Sequence, residues 1–232
     1  MTIADRLRPV AGVELILLLT RTRPLPLFLG AIPFDLLRLG QRGFREAAGM
    51  LIRRQLKITT RSIDDDHVLE FLRGLAPDVG LHATPVIYRT PLIECFRLGI
   101  LNPHIGLLPK YRGRSVLEWS ILEGDPTGIT TFFIDEGIDT GAEIVLRKEV
   151  PVTGFPNVAA AKQYLFSLSG DMFRAALQTL REPGFTPLRQ KMDEGTRWYV
   201  MSRLLTGVVD RILAENAREQ TALDSTPLGT RE

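Results

Sequence analysis

Apolar and polar residues alternate along this chain with two different periods, one typical of strands and one typical of helices. Val13–Leu19 is an almost unbroken apolar run, as expected of a strand that is buried on both faces. Phe34–Gln55 and Val158–Leu180 instead repeat apolar residues every three or four positions, which predicts two amphipathic helices. Gly128–Ile134 is rich in Ile, Thr and Phe and predicts another strand.

Shorter segments with the same two patterns fill the intervals between these four. The additional predicted strands are Lys57–Thr60, Asp78–Ala83, Ile100–Asn102 and Ala142–Val150. The additional predicted helices are Val68–Leu72, which follows Ser62 and three aspartates suited to capping it, Leu92–Leu98 and Val116–Leu122. This alternation predicts an α/β fold with an open, mainly parallel, Rossmann-like sheet and helices on both faces. Such sheets bind ligands beyond the carboxyl ends of their strands.

The pattern changes after residue 182. Pro183 and Gly184 interrupt the chain, and from Trp198 to Leu213 apolar residues recur at helical spacing. We therefore predict a main domain of residues 1–182 and a C-terminal helical extension of residues 183–232 with a loose tail.

The composition of the chain gives no support for several classes of protein, namely nucleic-acid-binding, disulfide-bonded, cysteine-zinc and membrane-spanning proteins. Of the 232 residues, 44% are hydrophobic and 24% are charged, and the net charge of +2 gives no sign of a nucleic-acid partner. The single cysteine, Cys95, excludes an internal disulfide and a cysteine-based zinc site, and its apolar neighbours predict a buried residue. No apolar run is long enough for a membrane span, and the start does not resemble a secretory signal. We predict a cytoplasmic protein without a metal.

Three polar residues are the candidates for chemistry. Asn102 and His104 follow a predicted strand and, two residues apart in extended backbone, face the same side. The amide can donate a hydrogen bond and the imidazole can exchange protons near neutral pH. Asp139 lies between Gly137 and Gly141 in a loop. A structural histidine and a solvated turn aspartate are the alternatives for His104 and Asp139 taken singly.

Two motifs together resemble a known superfamily. They are Asn-Pro-His-Ile-Gly-Leu-Leu-Pro-Lys-Tyr-Arg-Gly at residues 102–113 and Asp-Glu-Gly-Ile-Asp-Thr-Gly at residues 135–141. Both are similar to motifs of the 10-formyltetrahydrofolate-dependent formyltransferases, which include methionyl-tRNA, glycinamide ribonucleotide and sugar N-formyltransferases. The resemblance is dense over residues 100–152 and weaker over residues 58–99.

The resemblance implies an activity and a set of site residues. Asn102, His104 and Asp139 match the catalytic asparagine, histidine and aspartate, and 10-formyltetrahydrofolate is the implied co-substrate. The implied folate-binding residues are Thr84, Val86, Tyr88, Leu107, Asp135, Glu136, Gly137 and Ile138. The implied reaction is direct transfer of a formyl group to the amine of a small acceptor, an amino sugar nucleotide first and glycinamide ribonucleotide second.

Three departures from the family pattern qualify this hypothesis. Gly106 and Phe132 stand where the family usually has serine and histidine, and both make the acceptor side less polar. The chain also starts as if the family's first β-α unit were missing or lay upstream of Met1. A missing unit leaves a sheet edge to cover, from which we predict a homodimer. The opposed hypothesis is a catalytically impaired, formyltransferase-like folate-binding or assembly protein. A nucleotide-dependent oxidoreductase is disfavoured because no glycine-rich fingerprint is present.

Overall fold

The described residues form both strands and helices, as the hydrophobic pattern predicts. The computed structural model describes residues 16–21, 54–59, 62–82, 86–191 and 193–224. The chain divides into two units, residues 1–100 and residues 101–232. The helix predicted before residue 54 and the question of a missing first β-α unit fall on residues 1–15 and 22–53, outside the described residues. Thr84 also lies outside them.

The first unit contains a parallel strand pair. Its described elements are β1 (Ile16–Arg21), β2 (Arg54–Thr59), α1 (Asp66–Leu75), β3 (Val79–Leu81) and α2 (Thr90–Ile93). β1 and β2 pair in parallel, from Ile16 opposite Arg54 to Arg21 opposite Thr59. The prediction of helix for residues 54 and 55 is wrong, because both belong to β2, and the apolar stripe that predicted the helix ends at Ile52.

Neither of the two described helices of the first unit keeps its predicted bounds, since α1 is longer than Val68–Leu72 at both ends and α2 begins before Leu92. The predicted cap of α1 is wrong in detail, because the Asp65 carboxylate accepts the Ser62 amide (3.2 Å) and does not bond to the helix. α2 ends at Ile93 instead of Leu98. It stops there because the following backbone is diverted, with the Leu98 amide donating to the Asp78 carbonyl at 2.8 Å.

The second unit is built on an antiparallel ladder. Its elements are β4 (Gly99–His104, whose first two residues belong to the first unit), β5 (Tyr111–Gly113), α3 (Val116–Leu122), β6 (Gly128–Phe133), β7 (Glu143–Glu149), α4 (Val158–Ser167), α5 (Ser169–Thr179), β8 (Leu188–Arg189), β9 (Thr196–Trp198) and α6 (Arg203–Asp224). β4, β6, β7 and β8 lie side by side in that order, and each neighbouring pair is antiparallel. β5 pairs with β9 in parallel.

The α/β fold is confirmed, and so is parallel pairing for β1 and β2. The prediction of parallel pairing does not hold for this ladder. β6 and β7 are joined by residues 134–142, which contain no helix, and a parallel connection needs a crossover of about a dozen residues or more. The alternating pattern could not show this, because strands of either direction share the same two-residue period.

Helices α3, α4, α5 and α6 enclose the main core of this unit. The core is formed by Leu117, Ile129, Val150, Val152, Val158, Ala161, Leu165, Met172, Met201, Val209 and Leu213. The predicted single helix Val158–Leu180 is two helices, divided at Leu168. The sequence Ser-Leu-Ser-Gly at residues 167–170 is weakly helix-forming, which favours a break at this point.

Residues after 183 contribute to the same unit as the residues before them. β8 extends the ladder, β9 pairs with β5, and Val209 and Leu213 of α6 are fully buried in the core. The domain boundary after residue 182 stays a prediction. None of the described helices combines the length and apolarity needed to cross a bilayer.

Candidate active site

β4 places two of the predicted catalytic residues on one face. Asn102 lies opposite Phe132 of β6, and His104 lies opposite Thr130. Because side chains alternate along a strand, Asn102 and His104 point to the same side of the ladder. Asn102 is half-buried and His104 is buried, with 7% of its surface exposed. The expectation that these two side chains share a face is therefore met by the backbone.

His104 faces the third predicted residue. Its Nδ1 lies 3.4 Å from Oδ2 of Asp139, and the exposed fractions of the two side chains are 7% and 11%. The same Oδ2 accepts the Gly113 amide at 2.9 Å. Asp139 adopts φ 55°, a left-handed conformation that aspartate tolerates better than most residues. The carboxylate, the imidazole and the Gly113 amide thus meet in one half-buried cluster.

The second ring nitrogen of His104 is also engaged. Nε2 lies 2.8 Å from the carbonyl oxygen of Tyr111. A neutral imidazole has only one N–H, whereas the imidazolium has two and can donate to both the carbonyl and the carboxylate. Both ring nitrogens of His104 thus face an oxygen acceptor, the Tyr111 carbonyl at Nε2 and the Asp139 carboxylate at Nδ1.

Tyr111 is held in place from its side-chain end. Its phenol donates a hydrogen bond to Asp125, and Lys110 lies 2.5 Å from the same carboxylate. Burial, followed by the contact with Asp125, raises the pKa of the Tyr111 phenol, and the hydrogen bonds from Lys110 and Tyr111 lower the pKa of Asp125. The Tyr111 ring also stacks on Trp198 at 5.8 Å. These contacts hold Tyr111, and therefore its backbone carbonyl, in position next to His104 Nε2.

Gly106 leaves the room that the His104 ring occupies. A Cβ atom at this position would lie 2.7 Å from His104 Nε2 and 3.0 Å from the Tyr111 carbonyl oxygen. Both distances are too short, and the carbonyl belongs to backbone that cannot move cheaply. A serine at this position would carry the same Cβ. The glycine at 106 is thus coupled to the present position of the His104 ring.

Gly106→Ala is expected to displace the ring and lower the free energy of unfolding by about 1–3 kcal/mol through overpacking. Urea unfolding measures the loss, and ¹⁵N NMR of the His104 ring nitrogens detects the broken contact to Tyr111. Gly74→Ala is the matched control, because a Cβ on that residue of α1 meets nothing within 4 Å. Equal stability changes in the two variants would contradict the steric argument.

Phe132 lies beside the His104 ring. The two rings meet edge to face, with centroids 6.4 Å apart. Phe132 is 1% exposed and packs with Leu108 and Ile144 in a small apolar cluster. Phe132 thus belongs to the core and makes this wall of the site apolar.

The predicted folate-binding residues fall in both units. Asp135, Glu136, Gly137 and Ile138 form an exposed loop that leads into Asp139. In this loop the Asp135 carboxylate accepts the Gly137 amide at 3.0 Å and the Thr140 hydroxyl at 2.6 Å. Leu107 is half-buried in the second unit.

The remaining two described residues of this set, Val86 and Tyr88, belong to the first unit. Tyr88 packs against the small core beside α1, and its hydroxyl lies 3.2 Å from His82 Nδ1. The folate role of all these residues stays a prediction.

Sequence reasoning missed four contributors to the site. Tyr111 and Gly113 belong to the first motif, but they act through backbone atoms, which every residue type shares, so their residue types do not reveal these roles. The buried Thr130 hydroxyl donates to the Gly106 carbonyl at 2.7 Å and accepts the Leu108 amide at 3.1 Å, which shapes the turn after β4. Gln190 bonds to the loop that carries Asp139. For Thr130, the one signal available was a polar residue within the predicted strand Gly128–Ile134.

Neither the cysteine of this chain nor a cluster of metal-ligating side chains adds a reactive group in the described residues. Cys95 is buried as predicted, and burial raises the pKa of its thiol, which disfavours a nucleophilic thiolate. Within the described part of the chain, no three His, Cys, Asp or Glu side chains converge as metal ligands.

Comparison with known proteins identifies the family. Residues 41–163, more than half of the chain, match the family model described as formyl transferase. The chain belongs to the formyl transferase family. The match contains Asn102, His104 and Asp139 together with the loop before Asp139. The resemblance carried by the two motifs is thereby confirmed.

Individual proteins similar to this formyl transferase family member include a curated sequence relative and a solved structure. A methionyl-tRNA formyltransferase from Thermodesulfovibrio yellowstonii is 32% identical over 128 residues, which cover 54% of this chain and 41% of that protein. The chain thus matches less than half of the length of this relative. Among solved structures, the formyltransferase PseJ from Anoxybacillus kamchatkensis, in complex with UDP-4,6-dideoxy-4-formamido-L-AltNAc and tetrahydrofolate, aligns with a TM-score of 0.50 and 22% identity over 79% of this chain and 84% of that one.

A second solved structure has a different acceptor in its name. Glycinamide ribonucleotide transformylase 1 from Symbiobacterium toebii aligns with a TM-score of 0.51 and 19% identity over 75% of this chain and 80% of that one. At such identities the structural matches establish the fold alone. The family and the fold are therefore shown, and the acceptor has to be argued from the residues of the site.

Proposed function

We propose that the chain is a 10-formyltetrahydrofolate-dependent N-formyltransferase that acts on the primary amine of a small acceptor. The observation that carries this proposal is the His104–Asp139 pair at 3.4 Å, on the same side of the ladder as Asn102 and within the segment that matches the family. Asn102 supplies a hydrogen-bond donor, His104 a positive charge and Asp139 a carboxylate, and we propose that all three act on the formyl group.

Asn102 and His104 are proposed to stabilise the oxyanion. The acceptor amine attacks the formyl carbon, a new C–N bond forms, and negative charge develops on the formyl oxygen. The Asn102 amide can donate a hydrogen bond to that oxygen. His104 contributes its positive charge while both of its N–H groups stay bonded to Tyr111 and Asp139, in a site where low exposure strengthens the attraction.

Asp139 is proposed to complete the proton balance. The attacking amine must lose a proton, and N10 of the folate must gain one as its bond to the formyl carbon breaks. A carboxylate that is 11% exposed can take part in this transfer through a water molecule. Its negative charge also keeps His104 charged and oriented.

The loop before Asp139 suits a flat heterocycle with polar edges. Residues 135–138 are exposed, and Ile138 offers an apolar side chain that is 40% exposed next to open backbone. Backbone groups at a loop can pair with the polar edge of a pterin, and the isoleucine can contact its face. This composition supports 10-formyltetrahydrofolate as the formyl donor.

The residues of the site and the names of the relatives favour different acceptors. An apolar wall formed by Phe132 and the absence of a hydroxyl at Gly106 favour a small amine, such as an amino sugar nucleotide or glycinamide ribonucleotide, held chiefly by contacts away from the reacting nitrogen. A methionyl-tRNA acceptor is the second candidate, favoured by the names of the curated relatives.

A catalytically impaired folate-binding protein is the alternative function. It is favoured by the engagement of both His104 ring nitrogens, which leaves neither free to bond to a substrate until one contact opens.

Calorimetric titration with a stable 10-formyltetrahydrofolate analogue, followed by a transfer assay with a panel of amines, decides between the two functions. We expect saturable binding and transfer to at least one amine. Asn102→Ala should keep the binding and lower the transfer rate by about 10²–10³-fold, the effect of losing one oxyanion donor. Asn216→Ala on α6 is the control. Absence of binding by the wild type would remove both folate-based functions, and binding without transfer would favour the impaired protein.

A further inference from the structure

Gln190 reaches the loop that carries Asp139 from a distant part of the chain. Its Nε2 donates to the carbonyl oxygens of Asp139 at 3.2 Å and Gly141 at 2.5 Å. Its backbone amide donates to the Ala142 carbonyl at 2.9 Å. Gln190 thus donates hydrogen bonds to three backbone carbonyls around the Asp139 carboxylate. It lies outside residues 41–163, the segment that matches the family model.

The orientation of this amide is set by the loop. Gln190 is 7% exposed, and its Oε1 is buried without a partner in the described part of the chain. A flipped amide would place Oε1 against two carbonyl oxygens, so the donor group must face them. A buried acceptor without a partner costs free energy, and the two bonds from Nε2 have to offset that cost.

These bonds hold an unfavourable backbone conformation. Asp139 has φ 55°, which non-glycine residues seldom adopt, and in this conformation its Oδ2 faces His104 Nδ1 and accepts the Gly113 amide. β8 pairs with β7, with Leu188 opposite Ile144, and so delivers Gln190 to the far end of the loop. The loop is therefore fixed at Asp139, Gly141 and Ala142 by a single side chain and its backbone.

We infer that Gln190 is a positioning residue, which holds the Asp139 loop so that the carboxylate meets His104. The catalytic part of this inference rests on the proposed formyl transfer. Gln190 touches no reacting atom and acts only through Asp139.

The variants separate positioning from general stability. Gln190→Leu removes the donor at similar volume, Gln190→Glu places carboxylate oxygens against the loop carbonyls, and Gln190→Asn keeps an amide too short to reach both. Gln163→Leu and Gln163→Glu, on the exposed side of α4, are the matched controls. If Gln190→Leu does not fold, Gln190→Asn serves in its place.

Amide hydrogen exchange at Gly113 is the readout that does not depend on activity. The Gly113 N–H is bonded to the Asp139 carboxylate, so its protection reports where that carboxylate lies. We expect the Gln190 variants to lower the protection of Gly113 at least tenfold relative to that of Ile129 in the core, and the Gln163 variants to leave the ratio unchanged. An unchanged ratio in the Gln190 variants overturns the inference.

Kinetics in two backgrounds test the link to catalysis. Gln190→Leu is expected to lower kcat by about 10- to 100-fold, the range for misplacing a catalytic group by about an ångström. In an Asp139→Asn background the same change should have less than about a threefold effect, because the residues act as a unit. Equal losses in both backgrounds overturn the catalytic part. A wild type without transfer activity refutes the proposed function, and the Gly113 measurement then still decides the positioning role.

Discussion

Replacing Asp139 with asparagine is expected to lower the rate of formyl transfer by about 10²–10⁴-fold. The substitution keeps the shape of the side chain, and an amide oxygen can still accept the Gly113 N–H. What it removes is the negative charge 3.4 Å from His104 Nδ1. In a cluster with 7% and 11% exposed side chains, water cannot replace that charge, so the imidazolium loses its counter-ion. Oxyanion stabilisation and proton transfer are then weakened together.

The measurement is the initial rate of transfer, with binding of the stable folate analogue followed in parallel. Binding should be nearly unchanged, because the loop of residues 135–138, which we propose to bind the folate, ends before the altered carboxylate. Asp78→Asn is the matched control, since that carboxylate is 71% exposed in a surface ion pair with Arg97. A rate for Asp139→Asn within threefold of wild type, in a folded variant, would exclude Asp139 from the reaction.

The sequence predicted the parts of the site that depend on side-chain chemistry. Asn102, His104 and Asp139 could be found because an amide, an imidazole and a carboxylate stood at the spacing of two recognisable motifs. Tyr111 and Gly113 stand in the first motif, but the roles of the Tyr111 carbonyl and the Gly113 amide could not be predicted, because backbone groups are common to all residue types. Gln190 could not be found either, since it meets the Asp139 loop only through the pairing of β7 with β8.

The fold was predictable to a similar degree and for related reasons. α3 has the predicted bounds, Val116–Leu122, because its apolar residues stand between Ser115 and a turn at Gly124. Trp198 was predicted to lie on the C-terminal helix, but it belongs to β9, and α6 begins at Arg203. Trp198 of β9 happens to stand at helical spacing from the apolar residues of α6, so the pattern alone could not separate the strand from the helix. Tertiary pairing with β5, which no local pattern contains, decided the conformation of that segment.

Lys162→Met is expected to lower the free energy of unfolding by about 3–5 kcal/mol, the cost of leaving one partner of a buried ion pair alone. Glu118 of α3 is 3% exposed, and its Oε1 lies 2.5 Å from Lys162 Nζ on α4. Its Oε2 is already buried without a partner in the described part of the chain, so the lysine is the contact that compensates the carboxylate. The Lys162 side chain is 30% exposed, and access of water places the expected value near the lower limit.

Urea unfolding of a double-mutant cycle separates the ion pair from other contributions. Lys162→Met combined with Glu118→Leu should regain most of the lost stability, because two apolar side chains can replace a buried pair without leaving a charge. Arg174→Met is the matched control, since its partner Asp171 and Arg174 itself are both 37% exposed, and an exposed pair contributes about 1 kcal/mol or less. If Lys162→Met costs no more than Arg174→Met, Glu118 reaches water in the folded protein and α3 and α4 are held together by the apolar core alone.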